Sequence, residues 1–433
     1  MSYKAWICDR VCVFGLLLLL THNAYAVRAD YMLGVQTEYT DNITLAETNT
    51  QDETTLSLLG GFLVDHSAAE LDVNARGLLD YRNYLEDTYD DEPLGSLNAR
   101  AEWRPLPGTL HWVAENYFTQ TTINSAAPET PDNRVNANAF STGPDVIFRL
   151  APATTLETHL RRSEYYFEDS NTADSSRNAI TVGWVRAIRP QFSLSANAAY
   201  EGAQYSDQSQ NDFTKSDYFI RADTQRGRSD LVADVGVSNI DRNVGDDVSG
   251  FLGRLSLGRQ IRTNARLDLE MSGQYTDSGM DLLTAGAAPF VLDRTGEQIS
   301  GDIFFDRRIE ARYHAGTSES NWDAYLIARD ENYELLPQDR KSTGVRLQVH
   351  RGISGSLYLN GYGQYRREDY LQLDQLNKDI EFGLGLERRL ARRISARLDY
   401  IFNTRNSNVA GMDYDENGIV FLIYYGSDPQ LFR

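Results

Sequence analysis

Apolar and polar side chains alternate along this chain, residue by residue, in one segment after another. In the stretch ISARLDYIFN, Ile394, Leu398 and Tyr400 share one parity, while Arg397 and Asp399 share the other. A period of two residues is the pattern of a β-strand with one apolar face, and helical spacing does not fit it. The same alternation recurs in MLGVQTEY, QFSLSANAAYEG, ARLDLEMSGQY and TGVRLQVH. These runs are close to the roughly 10 residues that a tilted strand needs to cross a membrane, so we predict an all-β transmembrane protein.

The connections between these strands are of two kinds, which alternate along the chain. Nine are short, among them RPLPG, RGRS and LARR, and the others are longer, polar and mostly acidic, such as EDTYDDEP and NTRNSNVAGMDYDEN. Short turns at one end and long loops at the other are typical of an antiparallel barrel in the bacterial outer membrane. The pattern predicts about 20 strands, within a range of about 18 to 22. An even number of strands places the start of the first strand and the end of the last strand on the same side, the periplasmic side with the short turns.

The first 26 residues have the features of a secretory signal peptide. Cations precede an apolar run that ends at Leu20, and Ala24 and Ala26 form a small-x-small cleavage signal. The apolar run is about half of the ~20 residues that a membrane-spanning helix needs, so a retained anchor is the weaker interpretation. We predict cleavage after Ala26 and a single barrel domain over 27–433. The strand pattern begins by Tyr31, which leaves no room for an N-terminal plug domain.

Composition narrows the compartment and the partners. The chain has a net charge of −20, and loss of Lys4, Asp9 and Arg10 with the signal peptide makes it −21. Nucleic acid is not a predicted partner, because its phosphates repel so acidic a protein. Both cysteines, Cys8 and Cys12, lie in the signal peptide, so the mature chain has no disulfide and no thiolate for a metal or for catalysis.

Charged residues that alternate with apolar ones are predicted to face the lumen, because lipid excludes them. The pore-lining residues predicted in this way are Arg254, Arg266, Asp268, Glu270, Asp323, Arg346, Arg397 and Asp399. The four arginines each lie four or five residues from a short turn, which predicts similar heights in the periplasmic half of the lumen. Two compatible interpretations follow: cross-strand ion pairs that stiffen the wall, and a charge-selective ring around a water-filled pore.

Aromatic residues fall into two predicted groups. Those near strand ends are predicted to form girdles at the membrane interfaces. They are Tyr39, Trp103, Trp112, Tyr165, Tyr166, Trp184, Tyr205, Tyr275, Tyr333, Tyr370, Tyr424 and Tyr425. Tyr325, Tyr358 and Tyr362 lie on inner faces and are predicted to line the pore, either as a slide that stacks on sugar rings or as lumen filling.

One long connection is a candidate for a loop that folds into the lumen. The stretch 276–298 contains the sequence LLTAGAAPFVLD between two predicted strands. Such a loop either constricts the pore, or stays exposed and caps its own hairpin. Without a plug domain, folded-in loops are the only predicted means of narrowing this lumen.

Covalent chemistry and bound cofactors are not predicted. The histidines of the mature chain are His66, His111, His159, His314 and His350. They are scattered near short turns, without a serine or carboxylate at a repeated spacing. No HExxH, CxxC or phosphate-loop pattern occurs, and GYGQYR has the pattern of a strand. The acidic stretches DTYDDE and DYDEN could hold divalent cations that bridge lipopolysaccharide, but they lack the ligand spacing of a calcium loop, so we interpret them as solvated.

The opening strand carries a more specific motif. In GVQTEYTDNITL the order G-V-x-x-x-Y-x-D-N-I is formed by Gly34, Val35, Tyr39, Asp41, Asn42 and Ile43. Together with the signal peptide, the cysteine-free chain and the acidic loops, this motif resembles that of the β-barrel porin type 2 family, outer-membrane proteins encoded with exopolysaccharide and exosortase genes. The resemblance implies export of a secreted exopolysaccharide across the outer membrane, by a barrel that either works alone or docks a periplasmic export partner. The alternative is a general or solute-specific diffusion porin for small polar solutes, and a barrel enzyme is a more remote one.

The sequence also predicts where the first strand and the last strand of the barrel end. The polar break at Thr40, Asp41 and Asn42 is predicted to be a surface turn where the first strand leaves the membrane. Outer-membrane barrels usually end on an aromatic residue, a general feature of the class. Here NGIVFLIYY is followed by GSDPQLFR, so that residue is either Tyr425 or Phe432.

Overall fold

The structure is a computed structural model that describes residues 27–168, 173–206, 209–287, 299–317 and 319–427. The predicted signal peptide with its cleavage after Ala26, part of the candidate pore loop (288–298) and Phe432 lie outside the described residues.

Twenty antiparallel strands form one closed sheet. The first ten are β1 Arg28–Thr40, β2 Glu53–Ser67, β3 Leu71–Tyr84, β4 Glu92–Leu106, β5 Leu110–Thr122, β6 Arg134–Ala151, β7 Thr154–Phe167, β8 Ser175–Arg189, β9 Phe192–Tyr205 and β10 Phe213–Arg226. The second ten are β11 Ser229–Arg242, β12 Val248–Arg262, β13 Ala265–Thr276, β14 Phe304–Gly316, β15 Ser320–Tyr333, β16 Arg340–Ser354, β17 Leu357–Tyr370, β18 Gln375–Ala391, β19 Ile394–Ser407 and β20 Tyr414–Gly426. Each strand pairs with its neighbours in the chain, and β1 pairs with β20. The predicted barrel of 20 strands is therefore confirmed, and the described residues contain no plug domain.

The alternation of the sequence becomes the two faces of the wall. On β1, Leu33 and Val35 point outward and are 62% and 50% exposed, while Gln36 and Glu38 point inward. The outward positions of the other strands are likewise rich in exposed Leu, Ile, Val and Phe. A continuous apolar outer face requires lipid as its solvent, and a closed sheet suits that solvent because pairing between strands satisfies its backbone polar groups.

The two ends of the barrel differ in their connections, as predicted. At one end the turns hold two or three residues, such as 227–228 and 355–356. Gly227 has a φ of +59°, which tight hairpin turns need and which glycine adopts without a steric cost. At the other end the connections are longer, up to the stretch 277–303 between β13 and β14. Outer-membrane barrels place the short turns in the periplasm and the long loops outside the cell.

The polar break after β1 closes the barrel at its outer rim. The Asp41 carboxylate accepts hydrogen bonds from the backbone N–H and the side-chain amide of Asn417, over 2.7 and 2.9 Å. Asn42 is buried and donates to the carbonyl of Asp415. This turn therefore joins the first strand to the last. At the periplasmic end of the barrel, β20 ends at Gly426, one residue after Tyr425.

The one α-helix in the described residues is α1, Ser278–Ala287, in the long connection between β13 and β14. Among the described residues, no helix has the length and hydrophobicity to cross a bilayer.

Candidate functional site: the lumen and its folded-in loops

The extracellular half of the inner wall carries a continuous chain of ion pairs from β14 to β19. We call it the charge ladder, and its members are Arg308, Asp306, Arg329, Glu331, Arg340, Glu368, Arg366, Asp379 and Arg405, in contact order. The tightest contacts are 2.6 Å, as between the Arg405 guanidinium and Asp379. Most members are buried. Each inner member of the ladder has an oppositely charged neighbour on both sides, and each terminal member has one. The ladder therefore stiffens the wall without leaving a buried charge unpaired.

Helix α1 is positioned by the residue that precedes it. One oxygen of the Asp277 carboxylate accepts hydrogen bonds from the backbone N–H groups of Gly279 and Met280, over 2.9 and 3.1 Å. This is the arrangement of a helix N-cap, which satisfies donors that the first turn leaves free. Asp281 in the first turn adds a negative charge at the positive end of the helix dipole.

The same Asp277 fastens the helix to the wall. The Arg177 guanidinium on β8 donates to both Asp277 oxygens, over 2.8 and 2.6 Å, and also lies 3.3 Å from Glu201. The Arg177 guanidinium carbon lies 4.5 Å from the ring centre of Tyr165, in a cation–π contact. Arg177 and Asp277 are almost completely buried, so this bidentate pair is shielded from solvent.

Asp281 fastens α1 to another part of the wall. Its two carboxylate oxygens accept hydrogen bonds from Arg308 and Arg329, over 2.5 and 2.6 Å. These arginines belong to β14 and β15, and through them the helix joins the charge ladder.

An apolar contact completes the seat of the helix. Leu282 is 5% exposed and packs against Ala137, Ala139, Tyr165 and Phe167 on β6 and β7. Strands β6 and β15 lie nine positions apart around the barrel, so α1 contacts facing walls. The described part of the candidate loop therefore folds into the lumen, which was the first of its two predicted arrangements.

A second connection also enters the lumen. The loop 123–133 between β5 and β6 presents the carbonyls of Ser125 and Ala126 to the other side of the barrel. Tyr370 on β17 donates its hydroxyl to Ser125 over 2.5 Å, and Gln375 and Asn377 on β18 donate to Ala126 over 2.7 and 3.2 Å. Two loops thus cross the extracellular half of the lumen.

A cavity of about 530 Å³ lies between the inner wall of β7 to β12 and Met280 of α1. Its charged and titratable lining residues are Glu157, His159, Glu201, Lys215, Asp217, Arg221, Asp223 and Arg254. Both signs of charge occur, so the cavity offers partners to polar solutes of either sign.

Two arginines in this cavity share one carboxylate. Arg221 donates two hydrogen bonds to Asp234, over 2.7 and 2.8 Å, and Arg254 lies 3.0 Å from the same carboxylate. Asp234 is buried, whereas the arginine side chains are 43% and 37% exposed. Both guanidinium groups also lie within 6 Å of the Phe219 ring. Asp217 and Asp223 line the same cavity, so the two exposed guanidinium groups and these carboxylates together face the lumen.

The charged residues predicted to line the pore all lie on inward-facing positions, and the structure divides them into separate groups. Arg266 pairs with Asp268 over 2.7 Å, Arg397 pairs with Asp399 over 2.8 Å, and Asp323 lies 3.0 Å from Arg312. Glu270 lies opposite Glu310 in the register of β13 and β14. Arg254 alone of the predicted set lines the cavity.

The predicted common height of the four arginines is wrong. Arg266 is the second residue of β13 and Arg397 the fourth of β19, close to the periplasmic turns. Arg254 and Arg346 lie eight residues above the ends of β12 and β16, near the middle of the wall. The difference arises because β12 continues into RQIRTN as far as Arg262, and β16 continues into HRGISG as far as Ser354. The turns that follow are only the two residues 263–264 and 355–356.

The three predicted inner tyrosines lie on β15 and β17 at successive heights. Tyr358 stacks on His350, with ring centres 5.3 Å apart, and Tyr362 lies under the Arg346 guanidinium. Tyr325, opposite Arg346, donates its hydroxyl to Glu310 over 2.6 Å. Whether they contact a sugar stays a prediction.

The predicted aromatic girdle is only partly present. Trp103, Trp112 and Trp184 point outward and are exposed, as are Tyr39 and Tyr425. The prediction is wrong for five tyrosines that are buried inside the barrel, namely Tyr165, Tyr205, Tyr275, Tyr370 and Tyr424, and Tyr333 shares their inward parity. In the extracellular half, folded-in loops and ladder residues cover tyrosines such as Tyr165 and Tyr370. Tyr424 lies near the periplasmic end, where it packs with Met32 and donates its hydroxyl to Glu387 over 2.8 Å.

Sequence reasoning missed the charge ladder. The stretches ENYELLPQDRK and EDYLQLDQLNK have the polar composition that predicts long connections, yet Arg340 and Glu368 within them belong to strands. The sequence does contain a signal that the strand continues, because the alternation with a period of two runs on from Arg366 through Glu368 to Tyr370. The Arg177 contact with Asp277 has no such signal.

These features define the protein as a transmembrane β-barrel of the outer-membrane type, with an apolar outer face and a charged lumen. No family model and no curated protein matches the sequence.

Several solved structures are similar in fold. The FrpB iron transporter from Neisseria meningitidis has 9% identity and a TM-score of 0.43, with 91% of this chain and 81% of that chain covered. A mutant of the ferric enterobactin receptor PfeA from Pseudomonas aeruginosa has 9% identity and a TM-score of 0.44, with 94% and 81% covered. OccK3 (OpdO) from Pseudomonas aeruginosa has 10% identity and a TM-score of 0.37, with 92% and 95% covered.

Proposed function

We propose that this barrel is a diffusion channel that admits small polar solutes across the outer membrane. The observation that carries the proposal is the cavity between α1 and the wall of β7 to β12, with charged side chains of both signs. The helix narrows the lumen, and its ion pairs with Arg177, Arg308 and Arg329 hold it in a fixed place. A fixed constriction sets a size limit, and the lining charges select among the solutes that fit.

The proposed mechanism is passive. A solute loses part of its water in the cavity and exchanges it for hydrogen bonds with groups such as Arg221, Arg254 and Glu157. Because the lining residues carry charges of both signs, each contact with a solute stays weak enough for the solute to be released. No bond is made or broken, and no cofactor is required.

Planar-bilayer recordings of the purified full-length mature chain test this function. We expect discrete conductance steps in the wild type and larger steps when 278–300 is replaced by a short Gly-Ser linker, because the linker removes α1. Asp52→Ala, in the exposed part of the loop 41–52, is the matched control and should conduct like the wild type. Absence of conductance in both the wild type and the linker variant would overturn the proposal.

Export of an exopolysaccharide is the second candidate, and one observation favours it. Tyr358, Tyr362 and Tyr325 form an ascending series on the inner wall, which a chain of sugar rings could follow by stacking. An extended polymer would need α1 to move aside, because the helix contacts facing walls.

Neutral oligosaccharides separate the two candidates. In the export case they should block the open linker variant at micromolar to millimolar concentrations, and alanine at Tyr358 and Tyr362 should relieve the block. A conductance that oligosaccharides leave unchanged supports the diffusion channel.

A further inference from the structure

Five arginines form a row on the outer face of the barrel at its short-turn end. They are Arg186, Arg226, Arg259, Arg351 and Arg388, and we call them the arginine row. Each lies on a strand that runs toward a periplasmic turn, and all five are exposed. Each has the outward parity of the lipid-facing residues, as Arg388 does with Leu386 and Leu384. The row follows β8, β10, β12, β16 and β18 and so occupies one side of the barrel.

Among the described residues, the arginine row has no counter-charge. In the strand register every residue opposite these arginines is Ser, Thr, Leu or Ala. Arg259, for example, lies opposite Ser229 and Leu267. In the part of the chain that the structure describes, no carboxylate oxygen lies within 4.0 Å of the charged nitrogens of these arginines.

The opposite end of the same outer face is different. There Arg162 pairs with Glu164 over 2.7 Å, and Arg307 pairs with Asp330 over 3.1 Å. Arg162 and Arg307 thus have carboxylates beside them, whereas the cations of the arginine row have none in the described part of the chain.

We propose that the arginine row binds the headgroups of anionic phospholipids in the periplasmic leaflet. Arg226 is the last residue of its strand, and each of the other four arginines lies three residues before the end of its strand. Exposed apolar residues lie on both sides of Arg259 along β12, such as Phe251 before it and Ile261 after it. A long arginine side chain at this level reaches the headgroups while its methylene groups stay among apolar neighbours. A guanidinium group matches a phosphate diester with two parallel hydrogen bonds. Cations near an anionic bilayer surface gain further electrostatic attraction. An acidic periplasmic protein is the competing partner, but the sideways, lipid-facing direction of the five side chains favours lipid.

Spin-labelled lipids test the proposal on the full mature chain. The protein is reconstituted in phosphatidylcholine vesicles that contain traces of spin-labelled phosphatidylglycerol or spin-labelled phosphatidylcholine. We expect phosphatidylglycerol to be enriched in the motionally restricted shell by roughly threefold or more, with the preference weakened by high salt. Replacement of all five arginines by glutamine should bring the ratio close to that of phosphatidylcholine.

The matched control neutralises five exposed, outward cations at the other end of the wall. These are Arg162→Gln, Arg307→Gln, Lys341→Gln, Arg367→Gln and Lys378→Gln. The control should keep the preference. The proposal is overturned if the wild type shows no preference, which would favour the protein partner, if the glutamine variant keeps it, or if the control loses it equally.

Folding is monitored by the mobility of unheated protein in SDS gels. If the fivefold variant does not fold, the single variants Arg259→Gln and Arg388→Gln replace it, and each should lower the ratio measurably; unchanged ratios in both would also overturn the proposal.

Discussion

Arg177 and Asp277, which are 100 residues apart in the chain, form a buried bidentate ion pair inside the barrel. The same carboxylate caps α1 through the N–H groups of Gly279 and Met280. One side chain therefore both starts the helix and attaches it to the wall of the lumen. The helix has a fixed place because its cap has a fixed partner.

Removal of the Arg177 charge should release α1. In Arg177→Gln the buried Asp277 carboxylate loses its cation, and breaking one side of such a pair costs about 3 to 5 kcal/mol. We expect larger and noisier conductance steps in planar bilayers and faster protease cleavage in 277–303. Arg162→Gln, an exposed residue of β7, is the control and should leave both unchanged.

Asp277→Asn separates the two roles of this residue. Asparagine is an equally good N-cap, so the helix should persist while the ion pair is lost. In a double-mutant cycle, Arg177→Gln and Asp277→Asn together should cost less than the sum of the single changes. Strict additivity in thermal unfolding would contradict a direct coupling between the two side chains.

Gly279 is expected to resist substitution. Alanine normally stabilises a helix by about 0.5 to 1 kcal/mol relative to glycine. At this position a Cβ atom would lie 3.0 Å from the Arg177 guanidinium and from the Tyr165 ring. Gly279→Ala should therefore give no gain in stability, and Gly279→Leu should displace the helix and raise the conductance.

Gly202→Ala on β9 is the control for this prediction, since no heavy atom lies within 4 Å of its added Cβ. A stabilised Gly279→Ala protein with wild-type conductance would show that the helix does not pack as closely as described.

Charge reversal at Arg254 should change ion selectivity. Arg254 shares Asp234 with Arg221 and lines the cavity, so Arg254→Glu removes a cation and adds an anion there. We expect the reversal potential in a salt gradient to shift toward cation selectivity. Arg254→Gln should shift it less in the same direction. Arg307→Gln on the outer face should not shift it, and equal values for all these proteins would exclude the cavity from the ion path.

The contact between Asp41 and Asn417 should stabilise the closed barrel without affecting the pore. Asp41→Ala removes two hydrogen bonds between the first and last strands, which we expect to cost about 1 to 3 kcal/mol. The measurement is the temperature at which the folded form in SDS gels is lost, which should fall. Asp52→Ala, exposed in the same loop, should leave it unchanged. An altered single-channel conductance in Asp41→Ala would contradict a purely structural role.

Local patterns in the sequence determined the wall of this protein. A period of two assigns each side chain to lipid or lumen, and Leu33 and Gln36 lie on the predicted faces. The alternation of short turns and long loops determined the number of strands and which end carries the turns. These features depend on residues that are close together in the chain, so they can be predicted without knowledge of the fold. The length of each strand was less certain, because strands that rise above the membrane continue into polar sequence, as at Arg340 and Glu368.

Only the tertiary structure decided what fills the lumen. Alternation shows that Arg177, Arg308 and Arg329 face inward, but it does not show that one helix reaches all three. Nor does it show that Tyr165 and Tyr370 are buried under folded-in loops instead of lying at the membrane interface. These contacts form between segments far apart in the chain once the barrel has closed and brought their walls within reach. The physical reason is that strand geometry is set by adjacent residues, whereas the partners of a buried charge are set by whichever distant segment neutralises it.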